Sequence, residues 1–221
     1  MTAEKPPKKR VAILISGRGS NMQALIEAAR AADYPAEIVL VASNRPKAAG
    51  LTWAAANGVP TLALDHRNHA SRADFEVALQ SALDEANVEL IALAGFMRLM
   101  TPEFVQRWRD RMINIHPSLL PSFKGLETHE RVLAAGVRIT GCTVHFVRPE
   151  MDEGPIIAQA AVPVVSTDTP ETLAARVLAA EHRIYPSALA LVASGRAVCV
   201  GEKIVISEEV KERAPLFSPS L

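Results

Sequence analysis

Four short apolar runs, at residues 11–16, 37–42, 60–65 and 88–95, alternate with helix-like segments through the first half of the chain, and that alternation leaves few folds open. Continuous apolar runs of this length read as strands buried on both faces of a parallel sheet. Between them Met22, Leu25, Ile26 and Ala29 recur at helical spacing, and Phe75, Val77, Leu79 and Leu83 fit a helix over residues 71–87. The resulting βαβαβαβ order predicts an open α/β sheet with right-handed crossovers.

The second half departs from that rhythm. Thr101-Pro102-Glu103 starts a helix with a capping hydroxyl, a proline in the first turn and an early carboxylate. A strand at residues 112–115 runs into the proline-rich segment 116–121, and a helix over residues 126–135 is closed by Gly136. Two longer β segments follow, residues 138–147 and 155–165, joined by a turn at residues 148–154. A helix from Thr169 to about Ser194 is expected to bend at Pro186. Residues 197–200 and 203–206 flank Gly201-Glu202 as a terminal hairpin, and the last residues, with Pro215 and Pro219, read as frayed. There is no repeat, low-complexity block or linker, so one domain is expected.

Composition narrows the class. With 221 residues, 49% of them hydrophobic, one unit can bury roughly 70% of the surface of its unfolded chain, which needs no metal or disulfide for a core. The 24 basic and 24 acidic residues balance, which argues against nucleic-acid or membrane adhesion and against disorder. Four basic groups stand in residues 1–10 (Lys5, Lys8, Lys9, Arg10), so the body is mildly acidic. Cys142 and Cys199 sit in apolar strand-like surroundings and read as buried thiols. No apolar run approaches the roughly 20 residues of a membrane span, and no signal peptide is recognisable, so a cytoplasmic location is expected.

Three segments carry chemistry. Ser16-Gly17-Arg18-Gly19-Ser20-Asn21 follows the first strand and opens a helix, where glycines and unpaired N–H groups suit an anion; the same segment also reads as a tight turn capped by Ser20 or Asn21. It has neither the third glycine of a dinucleotide fingerprint nor the lysine of a P-loop. Asn114-Ile115-His116 ends a strand, so Asn114 and His116 face one side while Ile115 enters the core. An amide donor and an imidazole can there serve a developing oxyanion and a moving proton, or be a turn former and a structural hydrogen-bonding residue before Pro117. Met151-Asp152-Glu153-Gly154 is an acidic turn; near His116 its carboxylate would orient the ring and favour the imidazolium, and elsewhere it is a solvated turn. His129 and His145 with Asp152 match no metal-ligand spacing, and no metal is expected. His66 and His69 read as loop residues, and Trp53 and Trp108 as packed on helix faces. Arg98 follows the fourth strand at the edge where ligands of open α/β sheets collect.

Together the segments 16–21, 94–98, 114–125 (NIHPSLLPSFKG) and 141–157 (GCTVHFVRPEMDEGPII) resemble the phosphoribosylglycinamide formyltransferases, in order and spacing, over residues 10–206. The resemblance implies a single-domain, open, mostly parallel twisted sheet with helices on both faces, a Rossmann-like formyltransferase fold with antiparallel additions in the C-terminal half. A catalytic domain at 11–206 is expected, preceded by a basic, flexible extension at 1–10 that has no counterpart in the family and followed by a tail at 207–221. The resemblance also implies transfer of a formyl group from the co-substrate 10-formyltetrahydrofolate to the amine of 5-phosphoribosylglycinamide in purine synthesis. By the same resemblance His116 is the general acid/base, Asn114 stabilises the oxyanion and Asp152 orients His116. Gly19, Ser20 and Asn21 hold the substrate phosphate and Glu181 the ribose hydroxyls. Arg72, Met97, Arg98, Leu99, Met100 and Asn114 take the folate. The related deformylases and methionyl-tRNA formyltransferases carry additional domains for which the chain offers no matching segment, and a non-catalytic folate- or phosphate-binding module would have no use for the Asn114, His116 and Asp152 set. A monomer or homodimer is expected.

Overall fold

In the computed structural model, which describes residues 7–207, Leu216 and Ser218, nine strands and six α-helices follow one another in the expected order. The elements are β1 (Lys9–Ile15), α1 (Ser20–Ala29), β2 (Ala36–Ser43), α2 (Ala49–Ala56), β3 (Thr61–Ala63), α3 (Arg72–Glu85), β4 (Leu90–Leu93), α4 (Pro102–Arg107), β5 (Met112–His116), α5 (Thr128–Ala134), β6 (Ile139–Phe146), β7 (Ile156–Pro163), α6 (Pro170–Ala193), β8 (Ala197–Val200) and β9 (Lys203–Ile206).

The main sheet has the order β3-β2-β1-β4-β5-β6-β7. β1 to β5 pair in parallel, while β6 and β7 join antiparallel; β8 and β9 form a separate hairpin. This is the open, mostly parallel sheet with antiparallel additions that the sequence implied. The alternation of β1 builds both layers of core. Val11, Ile13 and Ile15 meet α1, α2, α5 and α6 on one face, and Ala12 and Leu14 meet α3 and α4 on the other. Because α1 and α4 lie on opposite faces, a crevice opens where β1 and β4 end side by side, the switch point at which open α/β sheets take ligands.

Several expectations change. β3 is a short edge strand with two of its three residues exposed, not a strand buried on both faces. α2 has no helical apolar stripe to reveal it; only its Gly50, Leu51 and Ala54 are buried. Gly50 is required there, since a Cβ would stand 2.5 Å from Ile15 Cδ1 and 3.1 Å from two carbonyl oxygens. Val77 is 67% exposed and does not belong to the buried stripe of α3. The helix expected from residue 126 begins at Thr128. Lys9 and Arg10, grouped by charge with an extension at 1–10, belong to β1: Lys9 pairs with Glu89 and Arg10 with Glu37, both at 2.7 Å. Residues 1–6 and most of 208–221 lie outside the described residues. Cys142 is buried, and burial pushes its thiol up to about 12, but Cys199 is only half-buried because the hairpin packs by one face.

Candidate active site

Asn114 and His116 point away from Ile113 and Ile115, which enter the α6-side core, so the period of two places both polar side chains on one face at the end of β5. The antiparallel neighbour β6 sets Thr143 opposite His116 and His145 opposite Asn114. His145 Nδ1–H donates to the Phe146 carbonyl (3.0 Å), and burial lowers its pKa, so the ring is neutral and offers Nε2 to the Asn114 amide nitrogen at 3.3 Å. His145 thereby fixes which way the Asn114 amide faces. One Nδ2 hydrogen is used on His145 and the second is left for a ligand.

His116 is 5% exposed. Its Nδ1 lies 3.4 Å from Asp152 Oδ2, and its Nε2–H donates to the Phe123 carbonyl at 2.9 Å. The same Asp152 oxygen accepts the Gly125 N–H at 2.7 Å, and Lys124 pairs with Glu153 at 2.6 Å, so the acidic turn is bound to the segment that follows His116. That segment is held from beneath. Thr143 Oγ1 donates to the Ser118 carbonyl (2.7 Å) and accepts from Leu120 N–H (3.0 Å), and Gln159 donates to the Leu120 carbonyl (2.9 Å). Phe123, Glu127 and Asp152 all take left-handed backbone conformations with φ between 53° and 55°, a concentration of local strain around the site.

The second half of the site lies at the start of α1. Its N-cap is Gly19, at φ 71°, and no side chain caps the first turn, so of the two readings of this segment the turn capped by Ser20 or Asn21 gives way to a bare helix N-terminus of the kind that suits an anion. Asn21 turns inward, and its amide donates to Glu181 Oε2 at 2.7 Å across 160 residues of sequence. Gly19, Ser20, Asn21 and Glu181 are thus brought together. Burial raises the Glu181 carboxyl above the usual carboxylate range, with the Asn21 bond opposing the shift in part. His182, the next residue, lines a groove of about 400 Å³ with Ser20, Gln23, Glu27 and Arg183; burial and the charge of Arg18 lower its pKa.

Residues 97–100 lead from β4 to α4. Met97 and Leu99 are 62% and 56% exposed, while Met100 packs on the α3–α4 core. Arg98 lies over the Phe75 ring at 5.2 Å with its Nε buried and unpartnered, and Arg72 is exposed at the first position of α3. Two anchors hold this segment. Met97 N–H donates to Ser16 Oγ (2.8 Å), which itself donates to Asn44, and the buried Glu76 accepts both the N–H (2.7 Å) and the hydroxyl of Thr101. Sequence reading missed Glu76 and Thr143 and weighed His145 only as a metal ligand. A signal existed for the last two, polar residues at a spacing of two in a mostly apolar strand. Among the described residues no group of three or more His, Cys, Asp or Glu is placed to hold a metal, and no helix is long and apolar enough to cross a membrane.

An open α/β sheet with an amide and an imidazole at the end of one strand, a carboxylate turned toward that imidazole, and an uncapped helix N-terminus beside a buried glutamate has the parts of a group-transfer site. The chain belongs to the formyl transferase family, which it matches over residues 9–189, and within it to the phosphoribosylglycinamide formyltransferases. It is 40% identical to the phosphoribosylglycinamide formyltransferase of Haemophilus influenzae, over 85% of this chain and 89% of that protein. It is also 54% identical, over 90% of its length, to the trifunctional purine biosynthetic protein adenosine-3 of Bos taurus, of which it spans about a fifth (20%). The crystal structure of glycinamide ribonucleotide transformylase 1 from Symbiobacterium toebii superposes with a TM-score of 0.89 at 44% identity, covering 94% of this chain and all of that one. A formyltetrahydrofolate deformylase from Burkholderia mallei shares the fold at 29% identity, with a TM-score of 0.83 over 91% of this chain and 70% of that one.

Proposed function

We propose that this protein transfers the formyl group of 10-formyltetrahydrofolate to the amine of 5-phosphoribosylglycinamide, giving formylglycinamide ribonucleotide and tetrahydrofolate in purine synthesis. The observation that carries the reading is the placement of Asn114 and His116 on one face at the end of β5, with Asp152 of the β6–β7 turn 3.4 Å from His116. The amine attacks the formyl carbon, and the free Nδ2 hydrogen of Asn114 and the Nε2–H of His116 stabilise the oxyanion. The His116 bond to the Phe123 carbonyl is exchanged for one to the substrate in this step. Collapse of the tetrahedral adduct breaks the bond to the folate nitrogen; His116 gives its Nε2 proton to that leaving nitrogen and takes a proton back from the nitrogen of the attacking amine. Asp152 gives Nδ1–H its acceptor and keeps the ring oriented.

The phosphate binds the N–H groups of Gly19, Ser20 and Asn21, where the helix dipole is positive, and Glu181 accepts from the ribose hydroxyls. The folate lies across residues 97–100, with Arg72 and Arg98 toward its carboxylates. Residues 11–206 are the catalytic domain on this reading and 207–221 a tail, and the protein works in the cytoplasm as a monomer or homodimer.

Release of tetrahydrofolate from 10-formyltetrahydrofolate, followed with and without phosphoribosylglycinamide, tests the reading. Acceptor-dependent release is expected; release without acceptor makes the protein a hydrolase, and no release leaves a binding module. His116→Ala and Asp152→Ala should each lower turnover by about 10² or more, the usual scale for an acid/base group. Near-normal turnover in either folded variant removes the assigned roles.

A further inference from the structure

The acidic turn that carries Asp152 begins at Arg148, whose side chain takes no part in the proposed transfer, yet it is the one buried arginine among the described residues, at 7% exposure. Its Nη2 donates to Asp110 in the turn before β5 (2.8 Å) and lies 3.5 Å from Cys199 Sγ of β8. Its Nε donates to Glu202 in the turn between β8 and β9 (2.8 Å), and Nη1 to the Val147 carbonyl (3.1 Å). Glu202 is also paired with Arg109. A buried guanidinium is held only where carboxylates repay its desolvation, and here both carboxylates come from elements distant in sequence.

The other end of the turn closes on the same residue. Gly154, at φ 140°, passes so close that a Cβ there would stand 3.1 Å from Arg148 Cγ and 2.1 Å from the Phe146 carbonyl oxygen. Arg148 therefore stands against both ends of the turn, and its carboxylate partners tie it to the residues just before the strand that bears Asn114 and His116 and to the terminal hairpin. We propose that Arg148, clamped by Asp110 and Glu202, is a positioning residue that holds Asp152 against His116, so that the β8–β9 hairpin is a working part of the active site. The proposal rests on the reading of Asp152 as the partner of His116 in formyl transfer.

The charged and titratable groups around the clamp are Asp110, Arg109, Glu202 and Cys199; those facing His116 are Asp152 from the turn, His145 from β6 and His129 from α5. Arg148→Met should lower kcat about tenfold, in line with a small misplacement of a catalytic group, and leave the KM for phosphoribosylglycinamide within about twofold. It should also move the pH profile of kcat in the direction taken by Asp152→Asn, by a smaller amount, and Arg148→Lys should recover most of the loss. Hydrogen exchange at Gly125 N–H, the donor to Asp152, reads the same clamp independently of activity and should quicken in Arg148→Met. Wild-type kcat and pH profile in the folded variant, or unchanged exchange at Gly125, overturn the proposal. Should Arg148→Met not fold, Glu202→Ala, at a half-exposed position, tests the clamp by the same readouts with the same outcomes. A wild-type protein that transfers no formyl group would remove the assigned reaction, whereas unchanged Gly125 exchange would remove the clamp.

Discussion

Asn114 can stabilise an oxyanion only if its amide nitrogen faces the cleft, and the choice is made by a neutral histidine on the next strand. His145→Gln should lower turnover about tenfold by loosening that amide, with little change in either KM. Unchanged turnover would mean that Asn114 is oriented by its own strand alone. The same buried ring makes stability depend on pH. Burial lowers the folded pKa of His145 below 6.5, so on acidification the unfolded chain takes up this proton first and is favoured. Stability is therefore lost as pH falls from the unfolded value through the folded one. Melting temperature should drop more between pH 7 and pH 5 in the wild type than in His145→Gln; equal drops would show that His145 is not the group responsible. Asn114 and His116 were legible as a pair because strand periodicity is local. His145 was not, because its partner is set by the antiparallel register of β5 and β6, which adjacent residues do not encode.

At the scale of elements, the Asn21–Glu181 bond joins the start of α1 to the middle of α6, and on the proposed function the two form one substrate half-site. A glycine-rich turn opening a helix was visible in sequence, but a bare N-terminus and a capped one look alike until the side chains of Ser20 and Asn21 are placed. Glu181→Gln separates binding from stability. Because burial raises the folded carboxyl, the folded state binds more protons than the unfolded one above the ordinary carboxylate range, and the contribution of Glu181 to stability declines as pH rises through its folded value. The variant should therefore melt no lower than the wild type at pH 8 while its KM for phosphoribosylglycinamide rises about tenfold, the cost of a charged acceptor lost to ribose hydroxyls. A fall in melting temperature with unchanged KM would make Glu181 a structural residue. Gly19→Ala tests the other partner: a Cβ at φ 71° costs roughly 1–2 kcal/mol and displaces the N–H groups offered to the phosphate, so KM should rise together with a modest loss of stability.

Over the whole molecule, the site draws on β1, β4, β5, β6, α1 and α6, so a ligand that spans it binds the folded chain alone. Phosphoribosylglycinamide at about 100 times its Kd should add about 2.7 kcal/mol of stability, which for a chain of this size is a rise in melting temperature of roughly 5–10 °C. No rise at saturation would place its site elsewhere. On the proposed function, attraction of two anionic ligands to a protein with as many acidic as basic residues is local, through the N-terminus of α1 and through Arg98. The sequence by itself determined the alternation of strands and helices, the capped start of α4, and which side chains are of a type suited to the proposed chemistry, because periodicity, capping and side-chain type are properties of neighbouring residues. Only the tertiary structure decided which of those residues meet. The contact of Asp152 with His116, the Asn21–Glu181 bond and the burial of Arg148 between Asp110 and Glu202 join segments far apart in the chain, and such contacts follow from the order and register of the strands rather than from any local pattern.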